Sequence, residues 1–448
     1  MKIKFCGGTN TVTGANYLIE TNNLKFLIDC GLIQKENVCE LENFEPFPYN
    51  PEEINFVLIT HAHLDHIGRL QRLFYEGFRG YIYSVLPTRD LAREILLDAN
   101  KVIKEKCKDW QLDLEEIYND ELVEKIISRW EGINYHEKLS FNDVEIEFFD
   151  AGHILGSAFI KISSDDKSIV FSGDLGNIDP LLKKCENLPE VDYVVLESAY
   201  GDRLHIGIEK RKDILEDIIE ETIKEERTLI IPAFSLERSQ EILFDIVDLI
   251  EDKKVPEIKI FLDSPLAIRI LDIYTRYIDF LNEEAKEFFE KRNYSELRYL
   301  KIIYDEEDIY KIYETPNPKI IISSSGILQG GRIINIVKKF IDKETSTILF
   351  VGFQPEGSLG RKLLDGEKEI YIEDKKYLVK AKIEKLLTYS GHKDQKGLID
   401  WLYPQRQRIK EVFIVQGEEN SKIILKAKIE DYLGIKAYIP KNNEEVIL

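Results

Sequence analysis

Three of the chain's seven histidines stand with one aspartate in the short segment 61–66, which has the sequence His-Ala-His-Leu-Asp-His. An apolar run at 55–60 leads into this segment and predicts a buried strand that ends there. A tight loop after such a strand can turn all four polar side chains toward one cavity. Imidazole nitrogens together with a carboxylate are a typical ligand set of zinc. We therefore predict a metal site here, in preference to the alternative that these histidines serve only packing.

Two more candidate ligands, His153 and Asp174, follow predicted strands at 144–149 and 168–171. They are needed because the 61–66 segment alone supplies too few ligands for two metals. An aspartate can bridge two metal ions, which a neutral imidazole cannot do. Two ions about 3.5–4 Å apart would hold a hydroxide and polarise a phosphoryl or carbonyl oxygen. The predicted ligands are His61, His63, Asp65, His66, His153 and Asp174.

The pattern of predicted helices and strands that must position these side chains changes along the chain. Short strand patterns dominate the first part, and from about Glu209 helix and strand patterns alternate, which is typical of a parallel α/β sheet. Strand patterns return at 369–373 and 377–388 and resemble the first part. The order predicts one domain that is interrupted by another. In the interrupting part, the expected helices are 209–225 and 236–250, and the expected strands are 228–232, 258–262, 319–323 and 347–351.

Composition and charge limit the classes of function. The 448 residues are 44% hydrophobic and 32% charged, as in an ordinary globular protein, and the formal net charge is −21. A basic surface usually accompanies tight nonspecific binding of nucleic acid, so the acidic balance argues against that kind of binding. It does not argue against catalysis on RNA, because a local groove with metal ions can hold a polyanion.

Cysteine usage and the start of the chain bear on location. The five cysteines are scattered and form no Cys-x-x-Cys pair, so we expect reduced thiols rather than a disulfide framework. The first residues lack the apolar core of a signal peptide, and no apolar run reaches the ~20 residues that a membrane span needs. These patterns predict a cytoplasmic protein that does not bind a membrane.

Several motifs that follow the metal segment along the chain are similar to those of one known protein family. Together with His61–Gly68, they resemble the β-CASP nucleases of the metallo-β-lactamase superfamily, namely the archaeal and bacterial homologues of the cleavage and polyadenylation specificity factor, with ribonuclease J more distant. The resemblance spans about residues 3–435. The motifs that carry it lie at 196–203 (LESAYGDR), 232–235 (PAFS), 263–267 (DSPLA), 324–332 (SSGILQGGR), 352–361 (GFQPEGSLGR) and 390–394 (SGHKD).

The resemblance implies a fold and a domain division. The fold is an α/β, metallo-β-lactamase αββα sandwich with an inserted β-CASP α/β domain that has a parallel sheet. The implied divisions are 1–203 for the first part of the metallo-β-lactamase domain, 204–370 for the β-CASP domain, and 371–448 for the C-terminal part of the metallo-β-lactamase domain.

The resemblance also implies residue roles. His61, His63 and His153 would bind one zinc, Asp65 and His66 the other, and Asp174 would lie between them, with Asp29 orienting a ligand. Glu197 and His392 would form a catalytic pair, in which the carboxylate raises the pKa of the imidazole so that it can protonate the departing ribose oxygen. Phosphate-binding candidates, or alternatively turns kept for packing, are Ser235, Arg238, Ser324, Ser325, Gly326 and Arg332.

The chain departs from the family pattern at one position. Where the family places a histidine that would ligate the second zinc, this chain has Gln416, within Val-Gln-Gly-Glu. A glutamine offers only a neutral amide oxygen, a poor match for zinc. We therefore expect two zinc ions per chain, with weak or absent occupancy of the second.

The resemblance favours a zinc-dependent ribonuclease that cuts RNA with a metal-activated hydroxide, leaves 5′-phosphate and 3′-hydroxyl ends, and acts in RNA processing or decay. Single-stranded RNA is the expected partner, and a homodimer is a possible assembly. Endonuclease and 5′-exonuclease action both stay open. One alternative, to which Gln416 lends weight, is a non-catalytic or weakly active subunit of an RNA-processing complex. A small-molecule metallohydrolase is a weaker alternative, because such enzymes need no insert as large as 204–370.

Overall fold

The computed structural model describes residues 1–21, 23–34, 38–108, 114–205, 207–292, 294–386 and 388–448, which form two compact units. Unit 1 comprises Met1–Asn177, Lys183–Leu204 and Gly391–Leu448, and unit 2 comprises Ile178–Leu182 and His205–Ser390. One unit therefore interrupts the other, as the change of pattern along the chain predicts.

The first part of unit 1 contains eleven strands and five α-helices among its described residues. The strands are β1 (Lys2–Gly7), β2 (Asn16–Glu20), β3 (Lys25–Ile28), β4 (Phe56–Leu58), β5 (Tyr81–Val85), β6 (Trp130–Ile133), β7 (Lys138–Phe141), β8 (Val144–Asp150), β9 (Ala158–Ser164), β10 (Lys167–Phe171) and β11 (Tyr193–Glu197). The helices are α1 (Leu64–Ile67), α2 (Leu70–Tyr75), α3 (Leu86–Lys106), α4 (Leu114–Ile117) and α5 (Asp120–Ile127).

Unit 2 is built on a six-stranded sheet in which all pairs are parallel. Its strands are β12 (Thr228–Pro232), β13 (Lys259–Asp263), β14 (Leu300–Ile302), β15 (Lys319–Ser323), β16 (Ser346–Phe350) and, after the antiparallel hairpin of β17 (Glu369–Ile372) and β18 (Lys375–Leu378), β19 (Lys382–Lys385). Its helices are α6 (Arg211–Lys224), α7 (Arg238–Glu251), α8 (Pro265–Arg276), α9 (Glu283–Lys291), α10 (Tyr310–Glu314), α11 (Ile333–Phe340) and α12 (Leu359–Leu364). The order β14-β13-β15-β12-β16-β19 confirms the predicted parallel sheet.

The end of the chain returns to unit 1 with α13 (Gln395–Leu402), β20 (Glu411–Val415), α14 (Glu419–Leu433), β21 (Lys436–Tyr438) and β22 (Glu445–Ile447). These strands complete two seven-stranded sheets. One has the order β22-β1-β2-β3-β4-β5-β6 and the other β21-β20-β11-β10-β9-β8-β7. Each sheet therefore contains strands from both ends of the chain.

The two sheets of unit 1 face each other across an aromatic core. The rings of Phe5 and Phe413 lie 5.6 Å apart, and those of Tyr17 and Phe171 lie 5.7 Å apart, each pair joining one sheet to the other. On the outer face of the second sheet, Trp401 of α13 and Leu425 of α14 pack into a buried cluster with strand residues such as Val412. With α3 packed on the first sheet, the predicted αββα sandwich is confirmed.

Unit 2 ends later than the division predicted at 370. β19 pairs in parallel with β16, with Thr347 opposite Lys382, so the strand patterns near 369–388 belong to unit 2 rather than to the returning sandwich. The segment Ile178–Leu182 also belongs to unit 2. A strand pattern in a sequence indicates a strand but does not say which sheet that strand joins, and the prediction failed for this reason.

A disulfide between Cys39 and Cys107 corrects the expectation that all the thiols are reduced. It joins the loop after β3 to the residue that follows α3, with a Cα–Cα distance of 5.5 Å. The other three cysteines, Cys6, Cys30 and Cys185, are free thiols. No helix among the described residues is long and apolar enough to cross a membrane. The cytoplasmic location stays a prediction.

Candidate metal centre

The side chains of the predicted metal site all follow strand ends of unit 1. The segment 61–66 follows β4, His153 follows β8, and Asp174 follows β10. Glu197 is the last residue of β11, and Gln416 comes directly after β20. An antiparallel bridge between Gly176 and His392 brings the last catalytic candidate to the same place. The structure therefore brings together side chains as far apart along the chain as His66 and Gln416, which are 350 positions from each other.

One group contains three imidazoles and a carboxylate. The Nε2 of His61 and the Nε2 of His153 lie 3.1 and 3.2 Å from the Nδ1 of His63. The same two nitrogens lie 3.4 and 3.5 Å from the Oδ2 of Asp174. Burial, with the charge of neighbouring histidines, lowers the pKa of His63 and His153 well below the usual imidazole range. These two imidazoles are therefore neutral, which is the form that binds metal ions.

The spacing of this group fits a tetrahedral metal ion. Zinc–nitrogen distances of about 2.0–2.1 Å require ligand atoms about 3.3–3.4 Å apart in a tetrahedron. The four measured separations, from 3.1 to 3.5 Å, bracket that value. The residues present therefore fit a zinc ion.

A second group shares Asp174 with the first. The Nε2 of His66 lies 3.3 Å from the Oδ1 of Asp174 and 3.7 Å from the Oδ2 of Asp65. The two oxygens of Asp174 thus face different groups, which is the arrangement expected of a bridging carboxylate. Burial lowers the pKa of His66, but the charges of Asp174, Asp29 and Asp65 raise it more, so that it stands well above the usual value. A cation here would take the place of that proton.

Gln416 lies at this second group, and its amide is oriented by Tyr17. The hydroxyl of Tyr17 donates to the Oε1 of Gln416 at 3.3 Å, which turns the amide nitrogen toward the ligands. That nitrogen lies 3.1 Å from both the Oδ1 of Asp174 and the Nε2 of His66. An amide nitrogen carries two hydrogens and no available lone pair, so in this orientation it cannot ligate a metal.

Asp29 orients the His66 ring through the ring nitrogen that faces away from the metal ligands. Its Oδ2 lies 2.7 Å from the Nδ1 of His66, so the opposite ring nitrogen faces the group. The backbone N–H of Thr60 donates to the Oδ1 of Asp29, and the Thr60 hydroxyl donates to its Oδ2, both at 2.8 Å. Thr60, which the sequence analysis did not single out, thereby fixes the carboxylate that orients the ligand. Its position directly before His61 is the signal that could have identified it.

His392 and Glu197 lie together on the more open side of the site. The Nδ1 of His392 lies 3.2 and 3.3 Å from the two oxygens of Glu197, a fully buried carboxylate that accepts the backbone N–H of Leu175 at 2.8 Å. Burial lowers the pKa of His392, but Glu197 and Asp174 raise it to about 9 in total. At neutral pH the His392 side chain is therefore a positively charged imidazolium. This side chain is 26% exposed.

Gly391 is a second residue that sequence reasoning missed. Its carbonyl oxygen lies 2.9 Å from the Nδ1 of His153 and fixes that ring with the Nε2 toward the metal ligands. The residue directly precedes His392, so one loop orients a candidate ligand and also carries the candidate acid. A backbone carbonyl has no sequence signature beyond that adjacency.

The predicted phosphate-binding residues lie in unit 2, where the serines and the arginines make different contacts. The hydroxyl of Ser264 lies 3.1 Å from that of Ser235 and 2.8 Å from that of Ser324, at the ends of neighbouring parallel strands. Arg332 instead donates to Asp263 and to two backbone carbonyls, and Arg238 pairs with Glu241. The guanidinium groups thus make contacts within the protein, and their role as phosphate ligands stays a prediction.

The loop that contains Ser325 and Gly326 packs against Phe234. The Ser325 hydroxyl lies 3.5 Å from the carbonyl oxygen of Gly330, and a Cβ on Gly326 would lie 3.0 Å from the Phe234 ring. A side chain at position 326 would therefore crowd the Phe234 ring. Phe234 is nevertheless 46% exposed, and Phe353 after β16 is 53% exposed. Two exposed aromatic rings and a hydroxyl cluster thus lie at the carboxyl ends of neighbouring strands.

Three family models match successive parts of the chain. Residues 18–191 match the metallo-beta-lactamase superfamily domain, residues 239–363 match the Beta-Casp domain, and residues 376–440 match the Zn-dependent metallo-hydrolase RNA specificity domain. The superfamily match implies binding of divalent metal ions, in agreement with the two ligand groups described above.

Curated relatives match almost the whole chain. Ribonuclease TTHA0252 of Thermus thermophilus is 33% identical over 95% of this chain and 95% of its own length. An RNase J-like protein of Methanocaldococcus jannaschii is 30% identical over 98% of this chain and 97% of its own length. Transcription termination factor FttA of Methanosarcina mazei is 29% identical over 100% of this chain and 72% of its own length.

Proposed function

Since this chain belongs to the β-CASP group of the metallo-β-lactamase superfamily, we propose that it is a zinc-dependent ribonuclease that leaves 5′-phosphate and 3′-hydroxyl ends. The observation that carries the proposal is the pairing of a tetrahedral ligand group with a protonated imidazole beside it. A metal ion held by the ligand group would supply the positive charge that phosphoryl transfer needs, and His392 would supply the proton that the leaving oxygen needs.

The ligand assignment follows the two groups. His61, His63 and His153 would hold one zinc, Asp65 and His66 the other, and Asp174 would contact both, because its two oxygens face the two groups separately. When bound, zinc ions lower the pKa of a water molecule and neutralise charge on phosphoryl oxygens. Asp29, through Thr60, would keep His66 in the orientation that binds.

His392 is the proposed general acid. Its Nδ1 faces Glu197, which leaves the Nε2 to donate a proton, and that nitrogen lies 4.0 Å from the Oδ2 of Asp174. The leaving 3′-oxygen of a bound phosphodiester would accept this proton. Glu197 is a positioning residue, because its carboxylate is held by the backbone N–H groups of Leu175 and Ala199 and contacts only the imidazole among the catalytic groups.

RNA is the proposed substrate because one family model is an RNA specificity domain and two relatives are named ribonucleases. The hydroxyls of Ser235, Ser324 and Ser325 are proposed phosphate contacts, with Gly326 giving close access. The exposed rings of Phe234 and Phe353 favour unpaired bases, which can stack on them. The homodimer expected from the sequence stays a prediction.

A second candidate function, a weakly active or non-catalytic subunit, is favoured by one observation. The amide nitrogen of Gln416 donates to Asp174 at the place where a further ligand of the second metal would stand. If that group stays empty, a single zinc remains and hydrolysis is slow. One relative is named as a transcription termination factor and not as a ribonuclease.

One experiment tests both candidates. End-labelled single-stranded RNA is incubated with zinc-loaded protein, and the fragments are separated and tested for 5′-phosphate ends. We expect cleavage by the wild type and none by Asp65→Asn, since an amide is a worse metal ligand than a carboxylate. Internal fragments indicate endonuclease action, and a ladder that shortens from the 5′ end indicates exonuclease action. Absence of cleavage, with zinc bound, would favour the non-catalytic subunit.

A further inference from the structure

Three carboxylates converge in unit 2, apart from the residues of the metal centre. They belong to Asp179, Glu237 and Glu241, and one ligand oxygen from each lies within 4.8 Å of the others. Asp179 comes from the segment Ile178–Leu182, and the two glutamates stand at the start of α7. Both glutamates are buried, with exposures of 4% and 2%.

Glu237 is the least satisfied of the three. Its Oε2 accepts a hydrogen bond from the hydroxyl of Tyr274, whereas its Oε1 is buried without any hydrogen-bond partner. An unpaired buried carboxylate oxygen costs free energy unless a proton or a cation compensates for it. Its φ of +70° is also one that favours glycine, so the fold keeps a glutamate at a position where its backbone is strained.

The charges around the cluster do not balance. Glu241 pairs with Arg238, and Asp245, one turn further along α7, pairs with Arg211 at 3.2 Å. Lys212, which also faces this network, is paired with Asp248. Four carboxylates, namely Asp179, Glu237, Glu241 and Asp245, therefore face two guanidinium groups, which leaves two negative charges uncompensated when all are ionised. Burial and mutual repulsion accordingly raise the pKa of Glu237 and Glu241 well above the usual range.

We propose that Asp179, Glu237 and Glu241 bind one divalent cation of the oxygen-preferring class, such as Ca²⁺ or Mg²⁺. Its charge equals the excess in the network, and the unpartnered Oε1 of Glu237 is a carboxylate oxygen that is already desolvated and would serve as a ligand. Carboxylates without histidine or cysteine select hard cations rather than zinc. The site is separate from the zinc ligands, and the proposal does not depend on the ribonuclease activity.

The cation has a structural consequence within unit 2. The Oδ1 of Asp179 accepts the backbone N–H groups of Leu181 and Leu182 at 2.6 and 2.9 Å, so this carboxylate is rigidly attached to its segment. Through Asp179 the ion joins the segment Ile178–Leu182 to the start of α7. Ion binding should therefore stabilise unit 2 as well as neutralise it.

Calcium binding to zinc-loaded protein tests the site, because Ca²⁺ does not compete well for imidazole ligands. Titration calorimetry and metal analysis after gel filtration should show one Ca²⁺ per chain for the wild type. Glu237→Gln should bind roughly 10–100-fold more weakly. Glu237→Gly should lose the ion as well, and it should fold, since glycine fits a φ of +70°. Glu220→Gln, an exposed carboxylate of α6 in the same unit, is the matched control and should bind like the wild type.

Thermal melting distinguishes two ways of neutralising the carboxylate cluster, namely a bound cation and protons shared among the carboxylates. With Ca²⁺, the Tm of the wild type and of Glu220→Gln should rise, whereas the Tm of Glu237→Gln should rise less and that of Glu237→Gly should stay unchanged. Without Ca²⁺, the Glu237 variants should melt at or above the wild-type temperature, because they remove buried repulsion. A wild type that binds no Ca²⁺ or Mg²⁺, or variants that gain as much Tm as the wild type, would show that protons alone neutralise the cluster and would overturn the proposal.

Discussion

At the scale of single residues, the contact between Glu197 and His392 controls the pKa of the proposed general acid. Glu197 is buried and raises the pKa of His392, and both its oxygens lie within 3.3 Å of the imidazole. The imidazolium is present below the pKa of about 9 and is lost as the pH rises through it. Cleavage should therefore decline at alkaline pH as this proton is lost.

Glu197→Gln and His392→Ala should have different effects on cleavage. Glu197→Gln removes the charge that raises the pKa of His392, so the alkaline decline of the rate should move to lower pH.

His392→Ala should lower the rate by about 10²–10⁴-fold. Rates of RNA cleavage measured from pH 6 to 10 test both expectations. A Glu197→Gln profile that overlays the wild type would remove the carboxylate from this role.

Gln416 is the residue whose replacement should improve the centre. Gln416→His exchanges an amide nitrogen that cannot ligate for an imidazole nitrogen that can. The second metal should bind more tightly, by roughly 10–100-fold, and cleavage at limiting zinc should rise. Zinc titration followed by metal analysis measures this, with Gln416→Asn as a control that keeps the amide. Identical binding of the second ion by wild type and Gln416→His would contradict the interpretation of this position.

At the scale of elements, the sequence predicted what is local and missed what is paired at a distance. The strands at 228–232 and 319–323 follow from their apolar runs, and β12 and β15 have those bounds. The metal segment was predictable because its ligands are adjacent along the chain. Two other features could not be predicted, because both depend on long-range packing. They are the membership of β19 in the sheet of unit 2 and the contact of Gly391 with His153.

The disulfide is the clearest case of such a long-range contact. Cys39 and Cys107 are separated by 68 positions, and neither stands in a recognisable cysteine motif. Disulfides are rare in most cytosolic proteins but do occur inside cells of hyperthermophiles, so the bond does not by itself decide the location. Only the folded positions of the loop after β3 and the end of α3 bring the two sulfur atoms together.

Removal of this bond should destabilise unit 1. Cys39→Ala frees a long loop in the unfolded chain and should lower the free energy of unfolding by about 2–4 kcal/mol. Denaturant unfolding under oxidising conditions measures it, and the free thiol variant Cys185→Ala serves as control. If a reducing agent shifts the unfolding of wild type and Cys39→Ala equally, the bond does not form in solution.

At the scale of the whole molecule, the net charge of −21 limits how RNA can be held. General electrostatic attraction is absent, so affinity must come from the metal centre and from local contacts. A duplex hides its bases and offers mainly phosphates, whereas a single strand can also stack bases on Phe234 and Phe353.

Single-stranded RNA should therefore be cleaved faster than a blunt duplex of the same sequence. Initial rates on the two labelled substrates measure this, and Phe353→Leu should reduce the preference while leaving zinc content unchanged. Equal rates on the two substrates would show that unpaired bases are not what the protein recognises.

The pairing of β1 with β22, with Lys2 opposite Ile447, has a consequence for the order of biosynthesis. A ribosome releases the first strand long before the last, and β20, which lies between β11 and β21, also emerges late. The sandwich cannot close until β22 has been synthesised, whereas His205–Ser390 form most of a unit that is continuous in sequence. During that interval the nascent strands keep unpaired edges, which are open to aggregation and need protection by chaperones.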